Sequence, residues 1–134
     1  MNKTSAKEWL IKSWHNLSSA KILYDANHYT DIIAVELHYS VEKNLKAFLA
    51  YENKRIPKTH DIVEIYSLIK QWINLDEYIG LMEDISDYHI EESYPVFDRT
   101  MPSYDELKEV LDFTNELFSK VCKILDIDED KVRI

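Results

Sequence analysis

Arg55 and His60 are the pair of side chains that most suggests catalysis in this sequence. Only four residues separate them, and both lie in a short basic segment, residues 54–60. An imidazole can transfer protons, and a guanidinium can stabilise the negative charge that develops at phosphorus during RNA cleavage. The same spacing fits a solvent-facing loop in which His60 caps or packs against the next helix. With five histidines in the chain, such pairings also arise by chance, so the spacing leaves both interpretations open.

A second group of charged side chains, Glu42, Lys43 and Lys46, lies within one predicted helix. Glu42 and Lys46 are four residues apart in the order that favours a helical ion pair, worth about 0.2–0.5 kcal/mol. One interpretation is an ion pair at the solvated edge of the helix. The other is a polar groove in which Lys43 and Lys46, with Lys58 and His60 of the basic segment, bind phosphates of a nucleotide or of RNA.

The remaining histidines form no metal-site pattern. His38 borders the apolar stripe of the predicted second helix, which favours a buried core group over a ligand. His15 and His28 have no ligand partner at metal spacing, and His89 belongs to no known metal motif. The chain has 1 Gly, which excludes the glycine-rich nucleotide loops. We therefore predict neither a metal site nor a cofactor.

Composition and charge narrow the class of protein further. Acidic residues outnumber basic residues by 25 to 16, and the net charge of −9 makes duplex DNA an unfavourable partner. No run of about 18 apolar residues occurs, so we expect no membrane span and no membrane partner. Cys122 is the single cysteine and has no partner for an internal disulfide, which favours a reducing, cytoplasmic location.

Helical periodicity runs through most of the chain and predicts five helices and no sheet. The second helix, over residues 30–51, is apolar almost all round and is therefore expected to be the most buried. These features predict an all-α, up-and-down helical bundle. With no repeat or linker, residues 1–134 form one predicted domain, with a core over about residues 5–125 and a frayed acidic tail over 126–134.

Capping residues place the starts of the later helices. Thr59 is the predicted cap of a third helix that continues to Ile73, and Asn74 begins a fourth. Ser103 and Glu106 form an S-x-x-E capping box, which is the clearest helix start in the chain.

Four short motifs follow one another in a characteristic order. The sequence opens with A-x-x-W-L at residues 6–10 and continues with E-K-N-L-K-A at 42–47, P-K-T-H-D at 57–61 and S-Y-P at 93–95. Their order resembles that of the HEPN domain family, small helical proteins of bacteria and archaea. The resemblance extends from about residue 5 to residue 125, and the second and third motifs are its most specific parts.

The resemblance implies a fold, an assembly and an activity. HEPN domains are up-and-down helical bundles that commonly form homodimers. Many are paired with a separate minimal nucleotidyltransferase in a toxin–antitoxin module. Active members are metal-independent endoribonucleases in which an arginine precedes a histidine by four to six residues, and two copies form one composite cleft.

This chain departs from the motif of the active members. Ser93 stands where the family often has an arginine before Tyr-Pro, and no histidine follows Arg99. The Arg55–His60 pair lies in an earlier loop, and we interpret its spacing as accidental. The resemblance therefore predicts a non-catalytic or weakly active binding module. The alternatives are an endoribonuclease with a non-standard site built from Arg55, His60 or Arg99, and a nucleotide-binding module.

Two isoleucines interrupt the polar face of the first helix and predict where a homodimer would form. Ile11 and Ile22 are three helical turns apart, beside His15 and Ser18. A two-fold interface uses the same patch twice, so a modest apolar line is sufficient to start one. We expect the first helix to take part in the dimer.

Overall fold

The computed structural model describes the backbone of residues 1–93 and 101–134 and the side chains of residues 1–89 and 101–134. Within those residues the chain forms six α-helices and one 3₁₀ helix and contains no strand, which confirms the predicted all-α bundle. The α-helices are α1 (Lys3–Asp25), α2 (Thr30–Tyr51), α3 (Ile62–Ser67), α4 (Ile79–Ser93), α5 (Tyr104–Ile124) and α6 (Glu129–Val132), and the 3₁₀ helix is Asp76–Tyr78.

Helix α2 lies at the centre of the bundle, as its apolar circumference predicts. It packs against α1, α3, α4 and α5, and 15 of its 22 residues are buried. In α1, by contrast, 5 of 23 residues are buried. The candidate functional residues on α2 belong to this central helix, so contacts with the surrounding helices fix the positions of their side chains.

Helix α3 is shorter than predicted and begins later. The side chain of Asp61, not that of Thr59, caps it by accepting from the backbone N–H groups of Val63 and Glu64. The helix ends at Ser67, and a turn returns the chain towards Leu75, whose N–H donates to the hydroxyl of Tyr66 at 2.7 Å. The sequence predicted a longer helix because Ile69 continues the helical spacing of apolar residues. In the structure, Ile69 is buried from the turn and not from a continued helix.

The starts of the last two long helices differ in how well they were predicted. The side chain of Asn74 accepts from the N–H of Asp76 and precedes the 3₁₀ helix, so α4 begins at Ile79, five residues after the predicted cap. Ser103 caps α5 by accepting from the N–H of Glu106, as predicted. The Glu106 carboxylate accepts from the hydroxyl of Tyr88 on α4 at 2.6 Å, which ties the two helices together.

The acidic tail contains a short helix, α6, that packs on the bundle, where the sequence predicts a frayed end. Asp128 caps α6, and Val132 is fully buried. The guanidinium of Arg133 lies 5.0 Å from the ring of Trp14, and His15 Nε2 lies 3.0 Å from the carbonyl oxygen of Ile134. A single valine, Val132, gives no helical periodicity, so the sequence does not predict that this segment packs against the bundle.

Helices α1, α2 and α5 end in the same motif. Asn27, Asn53 and Asp126 follow these helices with φ of 55°, 57° and 55°, in the left-handed region. At each end the N–H of this residue and the N–H of the next residue donate to carbonyls of the last turn. This is the Schellman arrangement, which glycine usually completes. The one glycine, Gly80, lies instead inside α4.

Candidate functional site

Three polar side chains lie one above another on α2 and face the interior of the bundle. His38, Glu42 and Lys46 follow each other at intervals of four residues, which places them on one face of the helix. His38 is fully buried, and Glu42 and Lys46 are each 5% exposed. The interpretation of Glu42 and Lys46 as a solvated ion pair is therefore wrong, because this face of α2 is covered by the segment that follows the helix.

The carboxylate of Glu42 is the centre of this cluster. Its Oε1 atom lies 2.7 Å from Nδ1 of His60, and its Oε2 atom lies 3.3 Å from Nζ of Lys46. Lys46 also donates to the carbonyl oxygen of Thr59 at 3.3 Å. Glu42 and Lys46 together therefore hold residues 59 and 60 of the basic segment against α2.

Burial and the surrounding groups act on Glu42 in opposite directions. Burial would raise the pKa of the Glu42 carboxyl, since it disfavours the charged form. The imidazoles of His38 and His60 and the charge of Lys46 outweigh that effect and lower the pKa to about 2. The surrounding groups therefore favour the carboxylate form of Glu42.

His38 is oriented by α4. Its Nδ1 atom lies 2.8 Å from the carbonyl oxygen of Ile85, and because a carbonyl only accepts, Nδ1 carries the proton of this hydrogen bond. Its Nε2 atom points to Oε1 of Glu42 at 3.4 Å, which is long for an N–H···O hydrogen bond. Nε2 is buried and has no hydrogen-bond partner.

His60 forms the boundary between this buried cluster and solvent. Its side chain is 49% exposed, and its ring stacks on the ring of His89 with centroids 4.2 Å apart and an interplanar angle of 18°. Both rings line a cleft of about 570 Å³. The carboxylates of Asp61, Glu83 and Asp87 also line this cleft, which gives its mouth an acidic character.

Of the predicted Arg55 and His60 pair, only His60 belongs to this cluster. Arg55 and Lys58 are exposed on the same segment as His60, whereas Nδ1 of His60 is bonded to Glu42. Arg99 lies outside the described residues. The structure therefore places one of the three candidate catalytic residues, His60, at the cluster.

The family model of the HEPN domain matches residues 6–125 of the chain. The chain belongs to the HEPN domain family. No curated protein and no solved structure matches the chain significantly. Within this HEPN domain, the two most specific motifs of the resemblance meet in space: Lys46 and Glu42 of the motif at 42–47 contact Thr59 and His60 of the motif at 57–61.

Lys43 lies on a different side of the HEPN domain from His60. Its ammonium donates to Oδ1 of Asn16 at 2.6 Å and lies 5.5 Å from the ring of Tyr39. It lines a cleft of about 510 Å³ with Glu8, Trp9, Ile11 and Lys12. Of the four predicted phosphate-binding residues, Lys43 and His60 line two different clefts of the described residues, Lys46 is buried, and Lys58 is exposed.

Sequence reasoning missed the role of two histidines in the cluster. His38 was correctly predicted to be buried, but its contact with Glu42 was not, although the interval of four residues could have indicated it. His89 comes from α4, and no sequence spacing connects it with His60.

Within the parts of the chain that the structure describes, no helix combines the length and apolar character that crossing a membrane requires.

Proposed function

We propose that this HEPN protein is a non-catalytic or weakly active member that works as a homodimeric binding module beside a separate nucleotidyltransferase. The observation that carries the proposal is the acidic lining of the cleft next to His60, from Asp61, Glu83 and Asp87. Three carboxylates repel the phosphodiester of an RNA substrate, which a ribonuclease site must attract. The contacts of His60 with Glu42 and His89 give this residue a structural role, because they fasten the segment before α3.

The second candidate is a metal-independent endoribonuclease, and one contact favours it. A carboxylate bonded to one nitrogen of an imidazole orients the ring so that its other nitrogen can exchange a proton with a substrate. Glu42 and His60 have this relation at 2.7 Å. We rank it second because the same ring faces an acidic cleft and not a basic one.

Incubation with a panel of single-stranded RNAs separates the two candidates. We expect the purified protein to cleave these RNAs no faster than His60→Ala, Arg55→Ala and Arg99→Ala prepared in the same way. Equal slow cleavage in all four samples would come from a contaminating nuclease and agrees with the proposal. Cleavage by the wild type that both His60→Ala and Arg55→Ala abolish would establish the ribonuclease instead.

The homodimer is tested at the apolar line of α1. Ile22 is 66% exposed, and Ile11 is half-buried at the edge of the Lys43 cleft, so both are accessible to a second copy. We expect light scattering to give about twice the chain mass of 16.0 kDa for the wild type. Ile22→Glu should give the mass of one chain, because a charge buried at a two-fold interface is present twice.

Leu68→Glu is the matched control, since Leu68 is 46% exposed on the turn after α3. This variant should remain dimeric. A monomeric wild type would refute the dimer, and a dimeric Ile22→Glu variant would show that the interface lies elsewhere.

A further inference from the structure

We propose that His38, Glu42 and His60 form a binding site for one divalent transition-metal ion, with Zn²⁺ the ion that fits best. One ligand atom from each residue lies within 4.8 Å of the other two, and the atoms that meet at Oε1 of Glu42 are Nε2 of His38 and Nδ1 of His60. The site goes beyond the proposed binding module, which does not depend on a metal.

The spacing of these atoms suits a tetrahedral ion. Zn²⁺ binds nitrogen and oxygen ligands at about 2.0–2.1 Å, so two ligands of a tetrahedral site are about 3.3–3.4 Å apart. The distance from Nε2 of His38 to Oε1 of Glu42 is 3.4 Å. Nδ1 of His60 lies closer, at 2.7 Å, and the half-exposed His60 can move outwards to admit the ion.

The orphan nitrogen of His38 gives independent support for a ligand. Because Nδ1–H donates to Ile85, Nε2 faces Oε1 of Glu42 either with a lone pair, in the neutral ring, or with an N–H at a separation of 3.4 Å, which is long for a hydrogen bond. A buried polar atom without a partner is unfavourable, and native structures contain few of them. A cation between the two atoms would satisfy both.

The surroundings of these three residues resemble the outer shell of a metal site. The carbonyl of Ile85 fixes the tautomer and the orientation of His38, as carbonyls do for metal-binding histidines. Lys46 bonds to Oε2 of Glu42, which leaves Oε1 available to the ion. The charge of Lys46 opposes a cation, and the carboxylates of Asp61, Glu83 and Asp87 at the mouth of the cleft offset it.

The ligand set selects the class of ion. Two imidazoles and one carboxylate form a mixed nitrogen and oxygen set, whereas Ca²⁺ and Mg²⁺ prefer oxygen ligands alone. Three protein ligands leave a fourth tetrahedral position for water, and the cleft beside His60 provides the route by which an ion reaches it.

Calorimetric titration of the metal-free protein with Zn²⁺ alone tests the proposal. We expect one Zn²⁺ per chain, and we expect His60→Ala to weaken this binding at least about tenfold, since even the loss of an outer-shell partner has that effect. His60 carries the test because its side chain is 49% exposed, so its truncation opens no cavity in the apolar core. Co²⁺ added in place of Zn²⁺ should give tetrahedral absorption bands in the wild type and not in His60→Ala.

His28→Ala is the matched control, because His28 is an exposed histidine between α1 and α2. This variant should bind Zn²⁺ as the wild type does, and Zn²⁺ should raise the melting temperature of both but not that of His60→Ala. A wild type that binds no Zn²⁺, or a His60→Ala variant that binds it as tightly as the wild type, overturns the proposal.

Discussion

Replacing Glu42 with glutamine is expected to lower the free energy of unfolding by about 3–5 kcal/mol, because the change leaves the ammonium of Lys46 buried without its carboxylate. Lys46 is 5% exposed, and Glu42 is the one acidic side chain with which it forms an ion pair in the described residues. The amide also gives His60 a weaker acceptor than the carboxylate. Urea denaturation in the presence of a chelator measures the loss without interference from bound metal.

Glu109→Gln is the control for this result, since Glu109 is exposed on α5 and its loss should change the free energy by less than about 0.5 kcal/mol. The double variant Glu42→Leu with Lys46→Met removes both charges and should lose less than the sum of the two single variants. If Glu42→Gln is as stable as Glu109→Gln, the pair does not stabilise the bundle.

Replacing Phe48 with alanine is expected to cost about 3–5 kcal/mol of stability, as truncation of a buried aromatic side chain usually does. Phe48 is fully buried and stacks on Trp72 with ring centroids 5.7 Å apart. The indole N–H of Trp72 donates to Glu52 at 2.7 Å, which fixes the ring above α2 and limits how far it can move into the cavity. Thermal and urea denaturation measure the change.

Leu68→Ala serves as the comparison for Phe48→Ala, because it also removes apolar atoms but from a side chain that is 46% exposed. We expect it to change the free energy by less than about 0.5 kcal/mol. A loss for Phe48→Ala that is no larger than for Leu68→Ala would mean that Trp72 and its turn collapse into the space without cost.

The sequence predicts the bundle well where one pattern is long. The apolar circumference of α2 correctly identifies the central helix, and Ser103 correctly marks the start of α5. Where the pattern is short, it fails: Ile69 is buried by a turn and not by a continued helix, and Val132 alone gives no periodicity from which a docked α6 could be predicted.

The candidate site shows a different limit. Lys43, Lys46 and His60 are basic residues of the right kind for phosphates, but the packing of the helices places Lys43 and His60 at separate clefts. Glu42 and His60 meet because the chain between them folds back along α2, and His89 arrives from α4. Such contacts depend on tertiary structure, so no spacing along the chain reveals them.

The helix ends at Asn27, Asn53 and Asp126 also have a consequence for the unfolded chain. A left-handed conformation costs most residues about 1 kcal/mol or more relative to glycine, and less for asparagine and aspartate. A glycine at each end would remove that cost, but it would give the unfolded chain more conformations to lose, worth about 0.4–1 kcal/mol. With 1 Gly in 134 residues, this chain has a small backbone strain at these helix ends in the native state. Its unfolded state has a lower conformational entropy than it would have with glycine there.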